Sequence, residues 1–345
     1  MREQRLRRRL RRQPDQCAHR FMNSSRLMFA ALLAALVMGG AGCVTPIPSA
    51  AAVYERVQPA AVEILVNGRM AGSGSIVDAG GSVLIAAHML PAGNEAHLEA
   101  HSSTLGRQPI RLIALDLAHD LALLQLPLQA EEYPHLTIAQ RSPGPGEPVY
   151  LYGAPVFRHD VMISGKIARA QPTFEFYDGA FREILHISGI SPIGTSGGPW
   201  VNARGELIGV QSAAMTIKGS HQGIAYASPL TSLKELLEKK KTVQSATMQT
   251  GVEELWSQEP SFISKLHKDF RGLVVRQLRK DGVAAKAGLK EWDIIVAIDG
   301  RSVNRTDDLM RMIRSREPGQ TVRLKATDRE GKNSRDLTIK LVPIN

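Results

Sequence analysis

The sequence is poor in cysteine: only Cys17 and Cys43 occur among 345 residues, and both precede the first predicted strands. No disulfide can therefore join parts of the folded region, and cysteine usage does not indicate the compartment in which the protein works. Aromatic residues are also few, at 5%, while charged residues make up an ordinary 22%. These proportions exclude a disulfide-stapled miniprotein and a mainly disordered chain, and they favour a globular protein.

Long apolar runs are missing as well. The longest, residues 27–42 (LMFAALLAALVMGGAG), is shorter than the roughly 20 residues that a helix needs to cross a bilayer. It follows Arg26 and ends in small residues before Cys43, a layout that resembles a bacterial lipoprotein signal. We therefore predict a signal segment at 1–42, cleaved before Cys43, and lipidation of Cys43. An uncleaved N-terminal anchor is the alternative.

Positive charge is concentrated at the N-terminus. Residues 1–26 hold nine Arg against Glu3 and Asp15, so they contribute +7 of the formal net charge of +10. The chain from Cys43 onward carries only +3, and this balance predicts no nucleic-acid partner. Since the sequence from Met22 has the length and layout of a signal by itself, Met22 is the predicted translation start.

The remainder divides into a tether and two globular regions. Residues 43–53 are small and Pro-containing, as in a tether. Residues 54–241 contain short β-rich runs separated by Gly and Pro turns, which predicts a mainly β domain of sandwich or barrel type. Residues 242–262 are polar and weakly patterned, which predicts a linker, and a second domain is predicted at 263–345.

Three segments carry the residue types of nucleophilic catalysis. Ser196 lies in the glycine-rich turn GTSGGP, where glycines let a substrate carbonyl approach closely. A serine hydroxyl needs a base, and His88 ends the strand-like run SVLIAAH. Asp120 precedes the run LALLQL, placed to accept the imidazole N–H and stabilise the imidazolium. We predict these three as a triad, with the backbone N–H groups of Gly194 and Ser196 as an oxyanion hole.

The sequence resembles HtrA-type (Deg family) proteases over nearly all of residues 54–345. The segments that carry the resemblance in combination are AGSGSIVDAGGSVLIAAH, AHDLALLQL, GTSGGPWVNARGELIGVQSA and GIAYASPL. The resemblance implies a trypsin-like fold of two six-stranded β-barrels with the active site between them, no cofactor, and a homotrimer. Thr195 replaces the Asp that pairs with a new N-terminus in digestive enzymes, so the resemblance implies activation by loop ordering. An inactive relative is the alternative.

The C-terminal region resembles the PDZ domain of the same proteases, a β-sandwich with two helices. The resemblance is carried by the segments FRGLVVRQLRKDGVAAKAGLKEWDIIVAIDGRSV and RTDDLMRMIRS. We expect the peptide groove between the strand LVV and the helix capped by Thr306. The terminal carboxylate of a bound peptide is then expected at the backbone N–H groups of Arg271, Gly272 and Leu273. A PDZ domain used for assembly or inhibition rather than substrate capture is the alternative.

The sequence predicts no metal site at His97 and His101. His97 and His101 lie four apart with Glu95 and Glu99 between, a spacing that suits a metal only on a helix. The resemblance implies surface β-structure there, so no metal ligand is predicted.

These observations predict a lipid-anchored, periplasm-facing endopeptidase of the bacterial cell envelope. It would degrade unfolded or damaged proteins through an acyl-enzyme intermediate and bind peptide C-termini at its PDZ groove. Ile190 and Ile193 flank the serine turn without an acidic residue, which favours cleavage after small or medium apolar residues. The alternative is a PDZ-based chaperone or scaffold with little proteolysis; digestion of casein distinguishes the two.

Overall fold

The computed structural model describes residues 48–91, 96–177 and 179–345. The predicted signal segment 1–42 with both cysteines lies outside these residues, so cleavage and lipidation stay predictions. Within the described part of the chain, no helix combines the length and apolar character needed to span a bilayer.

The globular part begins earlier than predicted. Helix α1 spans Ala50–Val57, and the Ser49 hydroxyl caps it by accepting the Ala52 N–H at 3.2 Å. Val53 is buried on the inner face of this helix. The tether prediction is therefore wrong for residues 50–53, whose small size is compatible with a helix because alanine has high helix propensity.

The first sheet has seven antiparallel strands in the order β5-β4-β1-β2-β3-β7-β6. Their inward residues are mainly Val, Ile and Leu, which suit a half-buried pleated surface. The bounds are β1 Ala61–Val66, β2 Arg69–Ile76, β3 Ser82–Ala86, β4 Leu98–Ser102, β5 Gly106–Pro109, β6 Arg111–Asp116 and β7 Leu121–Gln125. Strand β5 is a four-residue hairpin partner of β4, and the other six strands form the first barrel sheet.

The second sheet has the order β10-β11-β14-β13-β12-β8-β9, and β9 also pairs with β11. That extra pairing closes a ring of six strands and leaves β10 outside it. The bounds are β8 Pro148–Gly153, β9 Val161–Ile167, β10 Thr173–Tyr177, β11 Ala180–Ser188, β12 Pro199–Asn202, β13 Leu207–Ile217 and β14 Ser220–Pro229. Helix α2, Leu230–Lys239, then packs Leu233 and Leu236 on the barrels and ends at Lys240 in the left-handed conformation.

The C-terminal domain is a sheet of order β16-β17-β18-β20-β21, with β19 paired to β18, and a short ladder between β15 and β22. The strands are β15 Ala246–Thr247, β16 Gly251–Glu254, β17 Leu273–Arg276, β18 Ile294–Ile298, β19 Arg301–Ser302, β20 Thr321–Thr327, β21 Arg335–Lys340 and β22 Val342–Pro343. The helices are α3 Pro260–Ile263, α4 Val283–Lys286 and α5 Thr306–Arg314. Thr306 is the first helical residue, and the capping position belongs to Arg305.

The predicted linker is wrong, because β15 and β16 fall within 242–262, α3 begins there, and all three belong to the C-terminal domain. Strand β16 (GVEE) is short and half polar, so its alternation is too brief to predict a strand. Phe174 and Phe181 from the β10–β11 hairpin join the apolar core of this domain. The C-terminal domain thus rests directly on the second barrel.

Candidate active site

His88 and Asp120 are brought together by the pairing of β3 with β7. Ala86 lies opposite Leu121 in that ladder, so the residues just beyond each strand end also meet. His88 lies in the single 3₁₀ turn Ala87–Met89 after β3, and the Ala87 N–H donates to the Asp120 carbonyl at 3.0 Å. The imidazole Nδ1 lies 2.8 Å from Asp120 Oδ2. The two predicted residues therefore form a hydrogen-bonded pair.

The Asp120 carboxylate is almost completely buried, at 1% exposure, and is fully engaged. Its Oδ1 accepts the His88 backbone N–H at 2.9 Å, and its Oδ2 also accepts the Ser212 hydroxyl. Burial opposes the charge, but the hydrogen bonds from His88 and Ser212 keep the pKa of Asp120 below its ordinary value. An ionised Asp120 holds Nδ1 of His88 as the protonated nitrogen, so Nε2 is the proton acceptor.

Ser196 lies in the tight turn that precedes β12, and this turn packs against the segment of His88. The Ser196 carbonyl accepts the Ser73 N–H at 2.8 Å. A Cβ at Gly197 would lie 2.2 Å from the Ser73 carbonyl oxygen and 2.9 Å from the sulfur of Met89, the neighbour of His88. Glycine at 197 thus permits the close approach that places the half-buried Ser196 beside the His88 turn.

Two hydrogen bonds fix the orientation of the predicted oxyanion hole. The Ile193 carbonyl accepts the Val156 N–H at 2.6 Å, and the Thr195 carbonyl accepts the Gly198 N–H at 2.9 Å. In a trans peptide, the carbonyl of one residue and the N–H of the following residue point in opposite directions. The two hydrogen bonds therefore also fix the directions of the Gly194 and Ser196 N–H groups. Neither N–H donates to an acceptor in the described part of the chain. This arrangement suits donors reserved for a substrate oxyanion.

Sequence reasoning missed three residues that support this geometry. Ser73 is buried, and its hydroxyl donates to the Gly194 carbonyl at 2.9 Å and accepts the Ala154 N–H at 3.1 Å. Val156 holds the Ile193 peptide from a left-handed conformation, with φ of 48°. Ser212 bonds Asp120 from β13. None has a motif of its own, since their roles arise from contacts across the sheets.

The segments 189–196 and 212–226 carry no acidic side chain. Ile190 and Ile193 are 53% and 79% exposed beside the serine turn. In the same loop the Thr195 hydroxyl donates to the Pro192 carbonyl at 2.7 Å. This is a neutral contact at the position where digestive enzymes carry an Asp. An apolar specificity region is therefore still expected.

The predicted carboxylate-binding residues of the C-terminal domain are wrongly placed. Strand β17, which contains LVV, is interior: Leu273 pairs with Glu254 on one side and with Ile295 on the other. A peptide cannot add to a strand whose backbone is already paired on both edges. The free edge belongs to β16, and a cavity of about 580 Å³ lies between β16, the start of α5 and the β10 hairpin. Arg271, Gly272 and Leu273 thus lie one strand away.

Comparison with known families agrees with this architecture. A trypsin-like peptidase domain matches residues 72–210, and a PDZ domain matches residues 237–341. The latter match begins before β15, as the structure requires.

Among curated relatives, a probable periplasmic serine endoprotease DegP-like from Brucella suis is 25% identical over 79% of this chain and 53% of that protein. A protein of the same name from Chlamydia trachomatis is 28% identical over 76% of this chain and 52% of its own length. This chain thus spans about half the length of the curated relatives it matches.

Solved structures show the same fold. The HtrA-type protease AlgW with a decapeptide aligns with a TM-score of 0.62 at 21% identity, covering 86% of this chain and 99% of that one. A serine endoprotease from Yersinia pestis aligns with a TM-score of 0.58 at 21% identity, covering 87% and 100%.

Fold and site together define the class, a trypsin-like peptidase domain followed by a PDZ domain, and the predicted fold is confirmed. Within that class, the relatives and solved structures that the chain resembles are proteases of the DegP and HtrA type.

Proposed function

We propose that this protein is a serine endopeptidase whose triad is His88, Asp120 and Ser196. The hydrogen-bonded His88–Asp120 pair packed beside the Ser196 turn carries the proposal. Ser196 Oγ attacks the scissile carbonyl carbon while His88 Nε2 takes the hydroxyl proton, and the Gly194 and Ser196 N–H groups hold the developing oxyanion. The imidazolium then protonates the leaving amine, and water attacks the acyl-enzyme to regenerate Ser196.

The proposed substrates are unfolded or damaged polypeptides. The proposed location is the periplasm, which is the compartment that the names of the relatives state for those proteins. Digestion of casein beside a folded, stable protein tests this. Rapid loss of casein alone supports the proposal, whereas binding of casein without cleavage supports the chaperone or scaffold alternative. No cofactor is added to the assay, because the proposed steps use only side chains and backbone.

Cleavage is expected after small or medium apolar residues. Ile190 and Ile193 offer apolar surface, and no carboxylate in the adjoining segments pairs with a substrate Lys or Arg. Mass spectrometry of a digested unfolded protein identifies the residue on the N-terminal side of each cut. Predominant cleavage after Lys or Arg would refute the assignment.

Peptides with an apolar C-terminal residue and a free carboxylate are expected to bind the PDZ domain along the free edge of β16. Strand addition supplies main-chain hydrogen bonds there, and the terminal carboxylate distinguishes a chain end from an internal segment. Calorimetry with the whole protein and a matched amidated peptide measures this. The fragment 263–345 is unsuitable because it lacks β15 and β16. Equal affinity for both peptides would contradict end recognition.

Lipidation at Cys43 is proposed as the membrane anchor, and a homotrimer remains the predicted assembly. Two ester-linked chains and one amide-linked chain bury enough CH₂ groups for stable anchoring. Labelled palmitate is expected to enter the wild type and not the Cys43→Ala variant. Equal labelling of wild type and Cys43→Ala would exclude the site.

A further inference from the structure

The turn that carries Asp120, residues 117–120 between β6 and β7, is conformationally demanding. Asp120 has a φ of 54°, in the left-handed region that non-glycine residues seldom adopt. Such a conformation persists where surrounding contacts fix it. The groups that hold this turn therefore contribute to the geometry of the His88–Asp120 pair.

His119, the neighbour of Asp120, is held by two carboxylates. Its side chain is 16% exposed, its Nδ1 lies 2.7 Å from Asp116 Oδ2, and its Nε2 lies 3.3 Å from Glu183 Oε2. A ring that meets a carboxylate at each nitrogen is best satisfied as an imidazolium, which donates twice. Burial opposes that charge, but the hydrogen bonds to Asp116 and Glu183 raise the pKa of His119 to about 9.

These contacts join the two barrels. Asp116 ends β6 of the first sheet and His119 lies in the turn that follows it, whereas Glu183 is on β11 of the second sheet. The main chain follows the same path: the Glu183 N–H donates to the Ala118 carbonyl at 3.0 Å, and the Ser228 hydroxyl donates to the His119 carbonyl at 2.7 Å. Since Asp120 and Ser196 lie on opposite barrels, a tie at this point sets how the two halves of the triad meet.

Other charged groups surround this tie. Arg311 of α5 lies 3.8 Å from Glu183, and the half-buried Arg314 donates to the Phe181 carbonyl. The Arg182 guanidinium donates to the Leu117 carbonyl of the turn itself. The carboxylates that face His119 are Asp116 of β6 and Glu183 of β11, and the ionised Asp120 is its neighbour along the chain. Arg311 and Arg314 of α5, like His119, favour the charged form of Glu183.

We propose that His119 is a positioning residue, an imidazolium that ties the turn of Asp120 to β11 and so aligns the His88–Asp120 pair with Ser196. The inference rests on the proposed peptidase function, but its structural part is testable without activity. His119 acts through Asp120, and its side-chain partners are carboxylates rather than reacting atoms.

The kinetic test is His119→Gln, which keeps a polar side chain and removes the charge and one of the two ties. We expect kcat to fall about tenfold with KM changed less than about twofold, because the tie governs triad alignment rather than substrate contact. The wild-type kcat is expected to fall as the pH rises through about 9, and this loss is expected to be absent from the variant. His97→Gln is the control, since His97 also faces a glutamate, Glu99, but is 67% exposed.

The structural test uses the Ser196→Ala background, so that it does not depend on proteolysis. A raised pKa stabilises the fold fully below the ordinary histidine value of about 6.5, and this stabilisation is lost as the pH rises through about 9. The unfolding temperature of Ser196→Ala is therefore expected to decline over that interval. Adding His119→Gln should flatten the decline, whereas adding His97→Gln should not.

Glu183→Gln provides a second route should His119→Gln fail to fold, since Glu183 is partly exposed. It should lower kcat severalfold, and the double variant should be no slower than the slower single variant, because both remove one tie. Wild-type kcat and an unchanged alkaline profile in either folded single variant would overturn the positioning role. An absence of peptidase activity in the wild type, with the pH-dependent unfolding intact, would instead reject only the proposed function.

Discussion

Replacement of Ser196 by alanine is expected to abolish proteolysis and to leave the fold intact. The change removes one hydroxyl from a turn whose path is set by its glycines and by the Ser73 and Val156 contacts. Without the nucleophile no acyl-enzyme forms, so the rate should fall by at least about a thousandfold. A fluorogenic unfolded substrate measures the rate, and circular dichroism verifies the fold.

His88→Ala is expected to lose a similar amount, and the double variant no more than either, because nucleophile and base act as one unit. Asp120→Asn should retain more activity. Ser334→Ala, exposed in the loop between β20 and β21 of the C-terminal domain, is the control and should cleave at the wild-type rate. A folded Ser196→Ala protein with wild-type activity would remove the triad and with it the peptidase proposal.

The second large effect is expected from Gly194→Ala. A Cβ at this position would lie 2.2 Å from the Ala154 carbonyl oxygen, and the φ of 95° is unfavourable for any L side chain. The turn must shift to relieve this contact, which moves the Gly194 N–H away from the oxyanion. Loss of one such donor lowers kcat by about a hundred- to a thousandfold.

The matched control for that variant is Gly68→Ala, in the β1–β2 hairpin. Gly68 also has a positive φ, of 76°, but a Cβ there meets nothing within 4 Å. It should therefore share the backbone strain without the clash, losing about 1 kcal/mol or more of stability and little kcat. Similar kcat losses in the two variants would show that strain alone, rather than the oxyanion turn, explains the effect of Gly194→Ala.

The sequence alone points to the three proposed triad residues because the pattern around each of them is local. His88 and Asp120 each adjoin a strongly apolar strand, and strands β3 and β7 pair so that the two ends meet. Ser196 lies among glycines whose need is visible in the sequence. The supporting residues Ser73, Val156 and Ser212 are different, since each acts through a contact with a distant segment that no local pattern records.

The errors at the domain edges have the same origin. Strand β16 is four residues long and is defined by its pairing with β17, so its polar sequence looked like a linker. Because β16 pairs with one side of β17 and β18 with the other, β17 is an interior strand. The predicted carboxylate site at Arg271 therefore lies away from the free edge. Similarly, the small residues before Tyr54 predict a tether by composition alone. The structure instead buries Val53 against the barrels.

The most direct test of the triad is covalent labelling with a fluorophosphonate, which reacts with a serine activated by a neighbouring base. The proposed mechanism predicts one adduct, located by mass spectrometry on Ser196, and a labelling rate reduced to background in His88→Ala. Labelling should be weak in Gly194→Ala, where the oxyanion donor is displaced. An adduct on a different serine, or rapid labelling of Ser196 in His88→Ala, would contradict the triad.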